Sequence, residues 1–184
     1  NEVYRQNPED RCFHCKSELF SRLEGVRERV GFEYILGGEN ADDQGDYRPG
    51  LRAVANFGVR GPLAECGVTK EELRAVARRF ALECSDKPAS PCLSSRVMTG
   101  IEITPERLRD VEDMEGILRR AGVRTLRTRV CRDEKGALFL RIEVAKEEME
   151  TVLHCREELQ EEASRRGYKW VTLDLGGYRT GGGV

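Results

Sequence analysis

Nothing in this sequence is present in large excess, and each shortfall closes off a class of function. Lysine and arginine number 31 against 33 aspartates and glutamates, and the formal net charge of -2 gives no global grip on nucleic acid or a membrane surface. An anion has to be held by arginines placed locally. No apolar run approaches the ~20 residues that a membrane-spanning helix requires, so no membrane partner is expected. No repeat appears, and low complexity is confined to Gly181-Gly182-Gly183. No secretory leader is visible. The chain opens at Asn1 without methionine, and a leader or a longer segment ahead of it is expected to be missing.

A chain of 184 residues makes one or two domains and can bury a real core. Charged residues at 35% and hydrophobic residues at 39% are the balance of a protein with solvated helices. Cys12, Cys15, Cys66, Cys84, Cys92, Cys131 and Cys155 form an odd set. Without secretory features, an odd set fits a reducing cytoplasm, where a C-x-x-C pair binds metal or cycles redox more often than it forms a structural disulfide.

The chain turns on one stretch, Lys87-Pro88-Ala89-Ser90-Pro91-Cys92-Leu93-Ser94-Ser95-Arg96. Its two prolines fix φ and oppose helix, which makes it a shaped loop or a linker. A shaped loop carrying Cys92, Ser94, Ser95 and Arg96 is a place for chemistry. The plainer reading is a linker whose cysteine is incidental. The stretch divides the chain into residues 1–90 and 91–184.

In the first part, Cys12 and Cys15 are flanked by basic residues that favour thiolate, and His14 reads as an exposed loop residue. Leu19, Phe20, Leu23, Val26 and Val30 predict a helix from about Lys16 to Val30. Phe32 to Leu36 reads as a short buried strand closed by Gly37-Gly38. An acidic loop through Gly50 follows, in which Asp42 and Asp46 either hold magnesium or ribose hydroxyls or simply cap turns. A short helix is expected over 51–57. Thr69 and Glu72 form a capping box for a helix whose buried stripe is Leu73, Val76, Ala77 and Phe80. This series reads as the second half of a parallel-sheet domain.

In the second part, Ile101 to Ile103 reads as a strand, and Thr104-Pro105 starts a helix lined by Leu108, Val111, Met114 and Leu118. Residues 125–130 and 137–144 alternate as strands, joined by a turn at Asp133-Glu134-Lys135-Gly136. A helix from about Ala145 to Arg166 and a strand over Trp170 to Leu175 complete the order β-α-β-β-α-β, the ferredoxin-like pattern. Arg127 and Arg129, two apart on one strand, share a face. They either grip phosphate or carboxylate, or pair across strands with Glu143 on a solvated face.

Several motifs in fixed order carry a resemblance: Asn7-Pro8-x-x-Arg11-Cys12-x-x-Cys15-Lys16, Asn40-Ala41-Asp42-Asp43-x-x-Asp46-Tyr47-Arg48-Pro49-Gly50, Gly58-Val59-Arg60-x-Pro62-Leu63, Cys92-Leu93-Ser94-Ser95-Arg96, Leu126-Arg127-x-Arg129, Arg141-Ile142-Glu143-Val144 and Gly177-Tyr178-Arg179. Together they resemble the ATP-dependent sacrificial sulfur transferases of the LarE type, in the PP-loop ATP pyrophosphatase superfamily. The resemblance implies an α/β fold: the C-terminal half of a PP-loop, Rossmann-like parallel-sheet domain over 1–90, then a small α+β ferredoxin-like domain over 91–184. It implies that ATP adenylylates a carboxylate of a pyridinium-3,5-dicarboxylate mononucleotide, that sulfur replaces the AMP, and that two rounds give the bisthiocarboxylate of the nickel-pincer cofactor. The family's Ser-Gly-Gly-x-Asp-Ser ATP signature is absent from the sequence. Gly37-Gly38-Glu39-Asn40 stands where the family has Asp-Gly-Thr-Asn.

The resemblance also implies a sulfur source. Cys12, Cys15 and Cys92 match a triad that holds a 4Fe-4S cluster whose open iron carries sulfide from a donor; in another branch of the family Cys92 itself gives up its sulfur. Zinc is a rival occupant of three thiolates. The other four cysteines read as structural. Arg127 and Arg129 match a phosphate site for the substrate, with Glu115 and Glu143 as acids that orient substrate or bind a metal ion. Asp42, Asp46 and Lys70 fall in the half that handles ATP and magnesium. Ser94, Ser95 and Arg96 position the activated intermediate or shape the cluster loop. A homo-oligomer, with a hexamer as one form, is implied, and no nucleic acid. Two other readings stay open. One is a PP-loop tRNA sulfurtransferase relative, against which no basic patch with aromatics is evident. The other is a non-catalytic assembly module.

Overall fold

The computed structural model of the chain describes residues 1–43, 49–87 and 91–179. The chain divides into two compact units: Asn1–Tyr4 with Glu9–Ser90, and Arg5–Pro8 with Pro91–Val184. The helices are α1 (Glu2–Arg5), α2 (Arg11–Val30), α3 (Pro49–Asn56), α4 (Pro62–Glu65), α5 (Lys70–Arg79), α6 (Pro105–Arg120), α7 (Met149–His154) and α8 (Arg156–Arg165). The strands are β1 (Leu126–Arg132), β2 (Leu138–Val144) and β3 (Val171–Leu173). No helix among the described residues is long and apolar enough to cross a membrane.

The first unit is built on α2 against α3. Phe20, Ala53 and Val59 form its buried core, with Phe13, Leu23, Ile35, Val54 and Phe57 packed around them. Helix α2 begins at Arg11, ahead of the expected Lys16. The reason is Phe13, whose side chain joins the core and extends the apolar stripe back by two turns. Cys12, His14 and Cys15 are therefore helical, not in a loop. Gly31 ends the helix at φ 78°, its N–H reaching the carbonyls of Arg27 and Glu28. The capping box at α5 forms as expected: Thr69 N–H donates to Glu72 at 2.8 Å and Glu72 N–H to Thr69 Oγ1 at 3.3 Å.

Two further expectations fail in this unit. The run 32–36 is not a buried strand, since Phe32, Tyr34 and Leu36 are mostly exposed. One parallel bridge, Leu36 with Arg60, is its sole ladder contact among the described residues. A strand is buried by neighbouring strands, and the described residues of this unit supply none. The α5 stripe is likewise open, with Val76 and Phe80 exposed.

The second unit carries a three-stranded sheet in the order β1-β2-β3. Strands β1 and β2 pair antiparallel, and β3 runs parallel to β2. Val111, Met114, Ile117 and Leu118 of α6 are buried. So are Leu126, Thr128 and Val130 of β1 and Leu140, Ile142 and Val144 of β2. The expected strand at Ile101–Ile103 does not form, although both isoleucines are buried. Its backbone partners come from the start of the chain: Ile103 N–H donates to Arg5 O at 2.8 Å and Gly100 N–H to Asn7 O at 3.0 Å. Asn7, fully buried, donates through Nδ2 to the carbonyls of Val97, Met98 and Ile101. A lone parallel bridge joins Val97 to Val130, ahead of the run in which the strand was expected. The single helix expected over 145–166 is broken at Cys155 into α7 and α8.

Candidate functional site

The β1–β2 register sets Arg127 opposite Glu143 and Arg129 opposite Arg141. Alternation along each strand puts all four on one face. Arg129 Nε donates to Glu143 Oε1 at 2.6 Å, and Arg141 Nη2 donates to the same oxygen at 2.9 Å. Arg127 Nη1 lies 3.9 Å from Glu143 Oε2. Arg127 also donates from Nη2 to the Tyr178 hydroxyl at 3.0 Å, and its guanidinium carbon sits 4.8 Å from the centre of that ring. The pairing with Glu143 was one sequence reading, but the face is not solvated: Arg127, Arg129 and Glu143 are 5%, 7% and 3% exposed. Burial draws the Arg129 guanidinium below the ordinary arginine value, against the bond and charge of Glu143, and Arg127 and Arg141 push the same way as burial.

The Cys92 loop joins this cluster. Cys92 is extended, and Leu93–Arg96 make one tight 3-10 turn, with Ser95 N–H and Oγ both donating to Cys92 O. Arg129 Nη1 donates to Ser95 O at 3.0 Å. Arg96 points inward. Its Nη1 donates to Pro91 O at 2.7 Å, and its Nε donates to Glu115 Oε1 at 3.1 Å. Glu115, fully buried on α6, also accepts from Thr128 N–H at 3.2 Å and from Arg119 Nη2 at 2.5 Å. Both its oxygens are engaged, so in this arrangement Glu115 fastens the loop to α6 and β1. Cys92 itself is exposed, and Ser94 is buried. Six of the eight residues expected to carry chemistry in this unit, Ser95, Arg96, Glu115, Arg127, Arg129 and Glu143, are thus linked side by side.

In the first unit, Cys12 and Cys15 stand three apart on α2, both exposed. That spacing places two thiols on one side of the helix, and a soft thiophilic metal or cluster suits such a pair. Cys92 belongs to the second unit. Within either unit taken alone, no three His, Cys, Asp or Glu side chains gather as a metal site among the described residues. Cys12 lines a cleft of about 360 Å³ with Lys16, Glu39, Asp43, Pro49 and Gly50. There Lys16 Nζ donates to Glu39 Oε1 at 2.8 Å. Burial raises the Glu39 carboxyl, but the Lys16 hydrogen bond and a backbone bond outweigh it and hold the group below the usual range. His14 is half-buried and lies 3.3 Å from Asp10. Asp42 accepts the Lys70 N–H at 2.8 Å, the capping role. Asp46 lies outside the described residues.

Arg141 and Tyr178 stood in the motifs that carry the resemblance, but neither they nor Asp174 was assigned a role from the sequence. Arg141 was findable, because the Asp133–Gly136 turn fixes the register that sets it against Arg129. Tyr178 and Asp174 lie far along the chain, and no local spacing links them to β1.

Fold and side chains define two pieces: a helical unit with a C-x-x-C on its longest helix, and a small mixed-sheet α/β unit with a buried arginine–glutamate cluster bonded to a cysteine loop. Three known proteins are similar to the chain. It is 32% identical over 177 residues, 96% of its length, to the pyridinium-3,5-bisthiocarboxylic acid mononucleotide synthase of Lactiplantibacillus plantarum. It is 41% identical over 183 residues to an uncharacterized protein of Synechocystis and 29% identical over 175 residues to one of Methanocaldococcus jannaschii. The chain spans 62% of the first protein and 66% of each of the other two. No family model matches it.

Proposed function

We propose that this chain is the larger part of a LarE-type sulfur transferase that converts the carboxylates of a pyridinium-3,5-dicarboxylate mononucleotide to thiocarboxylates. The observation that carries the reading is the bond from Arg129 to Ser95. It makes one piece of an arginine cluster able to hold an anion and a loop that presents a thiol. The synthase activity for which the Lactiplantibacillus relative is named supports it.

In this reading, Arg127 and Arg129 supply the charge that holds the mononucleotide phosphate, and Glu143 fixes the Arg129 guanidinium by a direct hydrogen bond and lies beside Arg127. Glu115 and Arg96 hold the Cys92 loop in place, with Ser94 and Ser95 shaping the turn. Asp42, Asp46 and Lys70 serve the half that handles ATP and magnesium. The sequence has no Ser-Gly-Gly-x-Asp-Ser motif, so the adenylylation step is proposed of the whole protein. Cys12, Cys15 and Cys92 are the thiols we assign to a 4Fe-4S cluster, and when bound the cluster supplies an iron able to carry sulfide from a donor. The proposed assembly is a cytoplasmic homo-oligomer.

The test is the whole protein, reconstituted anaerobically, with ATP, magnesium and the dicarboxylate mononucleotide. The reading expects about four irons per chain and a thiocarboxylate product, both lost in Cys92→Ala. A colourless protein whose Cys92 becomes dehydroalanine on turnover keeps the sulfur transfer and replaces its source. Absence of thiocarboxylate product under both iron-loaded and iron-free conditions sinks the function.

A further inference from the structure

We infer that Arg141 and Tyr178 are direct contacts of the substrate's phosphate monoester, completing a cradle of which Arg127 and Arg129 are the buried base. The inference rests on the proposed function for the identity of the ligand.

Three guanidiniums, from Arg127, Arg129 and Arg141, share this face of the sheet with one carboxylate, Glu143. The next carboxylate is Asp174, whose Oδ2 lies 3.9 Å from Arg141 Nε, beyond hydrogen-bond reach. Two carboxylates against three guanidiniums leave positive charge in a partly dry site, and an anion relieves it. The hydrogen-bond donors are unevenly used. Arg129 is committed to Glu143 and to Ser95 O. Arg127 Nε and Arg141 Nε are buried and have no hydrogen-bond partner among the described residues. Arg141 donates to Glu143 alone and, with its side chain 35% exposed, is the edge of the cluster that solvent reaches. Tyr178 lies across Arg127, and its hydroxyl accepts from that guanidinium. A phenol that accepts keeps its own proton to donate.

An incoming anion therefore meets the half-exposed Arg141 guanidinium and, beside Arg127, a half-buried phenol O–H, with the positive charges of Arg127 and Arg129 beneath. Donors in several directions around excess positive charge suit a tetrahedral dianion, a phosphate monoester, better than a flat carboxylate. Tyr178 is held for this by its own backbone. Its N–H donates to Val144 O at 2.8 Å, and Gly177, at φ 75°, turns the chain back over the sheet, where a Cβ would crowd Val144 O at 3.2 Å.

Nicotinic acid mononucleotide, a pyridinium mononucleotide, and its riboside, which lacks the phosphate, serve as probes by calorimetry on the full chain. The mononucleotide should bind and the riboside should not. Arg141→Ala should weaken the mononucleotide at least about tenfold and Tyr178→Phe about threefold, the range of one lost charged and one lost neutral hydrogen bond. Arg141→Lys keeps the charge, guards against misfolding of the alanine variant, and should fall between. The inference is overturned if the wild-type chain binds neither the mononucleotide nor inorganic phosphate. Equal binding of riboside and mononucleotide, or wild-type affinity in both Arg141→Lys and Tyr178→Phe, overturns it as well. Phosphate-dependent binding without sulfur transfer by the whole protein removes the proposed function and leaves this site standing. Sulfur transfer with an unchanged KM in Arg141→Lys and Tyr178→Phe does the reverse.

Discussion

Arg96 and Glu115 meet where water is excluded: Nε lies 3.1 Å from Oε1, with the two side chains 5% and 0% exposed. The pair joins the turn after Cys92 to the middle of α6. Removing one member leaves the other charge buried and unpaired. Glu115→Gln should destabilise the second unit by about 3–5 kcal/mol, read from chemical denaturation. Amide exchange at Ser95 and Val97 should rise with it. A loss of stability with the Cys92 turn still protected would mean that the pair does not hold the loop.

Asn7 sits at φ 57° with no exposed surface and serves three carbonyls through one amide. Asn7→Ala orphans those carbonyls and should cost about 2–4 kcal/mol. Asn7→Asp should be at least as damaging, because a carboxylate repels the oxygens that the amide served. Unfolding curves for the two variants, with amide exchange at Gly100 as a local reporter, decide the matter.

Asp133 ties the β1–β2 turn, accepting from Ala137 N–H at 2.8 Å and Lys135 N–H at 2.9 Å. The Ala137 bond foremost, with Lys169 and the Lys135 N–H adding to it against desolvation, holds its carboxyl below the ordinary aspartate value. A depressed native pKa adds stability above the unfolded value of about 3.9, and that stability drains away as pH falls through the native one. The unfolding midpoint of wild type should exceed that of Asp133→Ala at neutral pH, and the gap should close in acid. A gap independent of pH would show that the carboxylate's charge plays no part.

Cys131 lies on the same face as the arginines but is buried, and desolvation pushes its thiol up. Thiolate is the reactive form, so Cys131 should resist iodoacetamide near neutral pH. Cys12, Cys15, Cys66, Cys84 and Cys92 are exposed and should label first. Peptide mass mapping with and without denaturant checks the order.

The hairpin was legible in the sequence because its information is local. Alternation named the faces of β1 and β2, and Asp133–Gly136 named the turn between them. The same local reasoning misjudged the arginine face as solvated. What covers it, the Ser95 carbonyl and Tyr178, is 34 and 51 residues distant from the side chains it meets. Ile101–Ile103 failed for a related reason. Its apolar alternation is real and both isoleucines are buried, but its backbone partners are Arg5 and Asn7, from the far end of the sequence. Helix α2 was placed late because Phe13 was not counted in its stripe. The capping residues at α5 and α6 were legible outright, since a cap is a bond between near neighbours.

The polypeptide crosses between its units after Tyr4, after Pro8 and after Ser90. Dissection of the protein must respect that route. A fragment cut to begin at Pro91 would contain every residue of the sheet and still lack the four-residue clip that closes its opening turn. Grafting Arg5–Pro8 back, as a fused leader or as an added peptide, is the condition for studying that half in isolation.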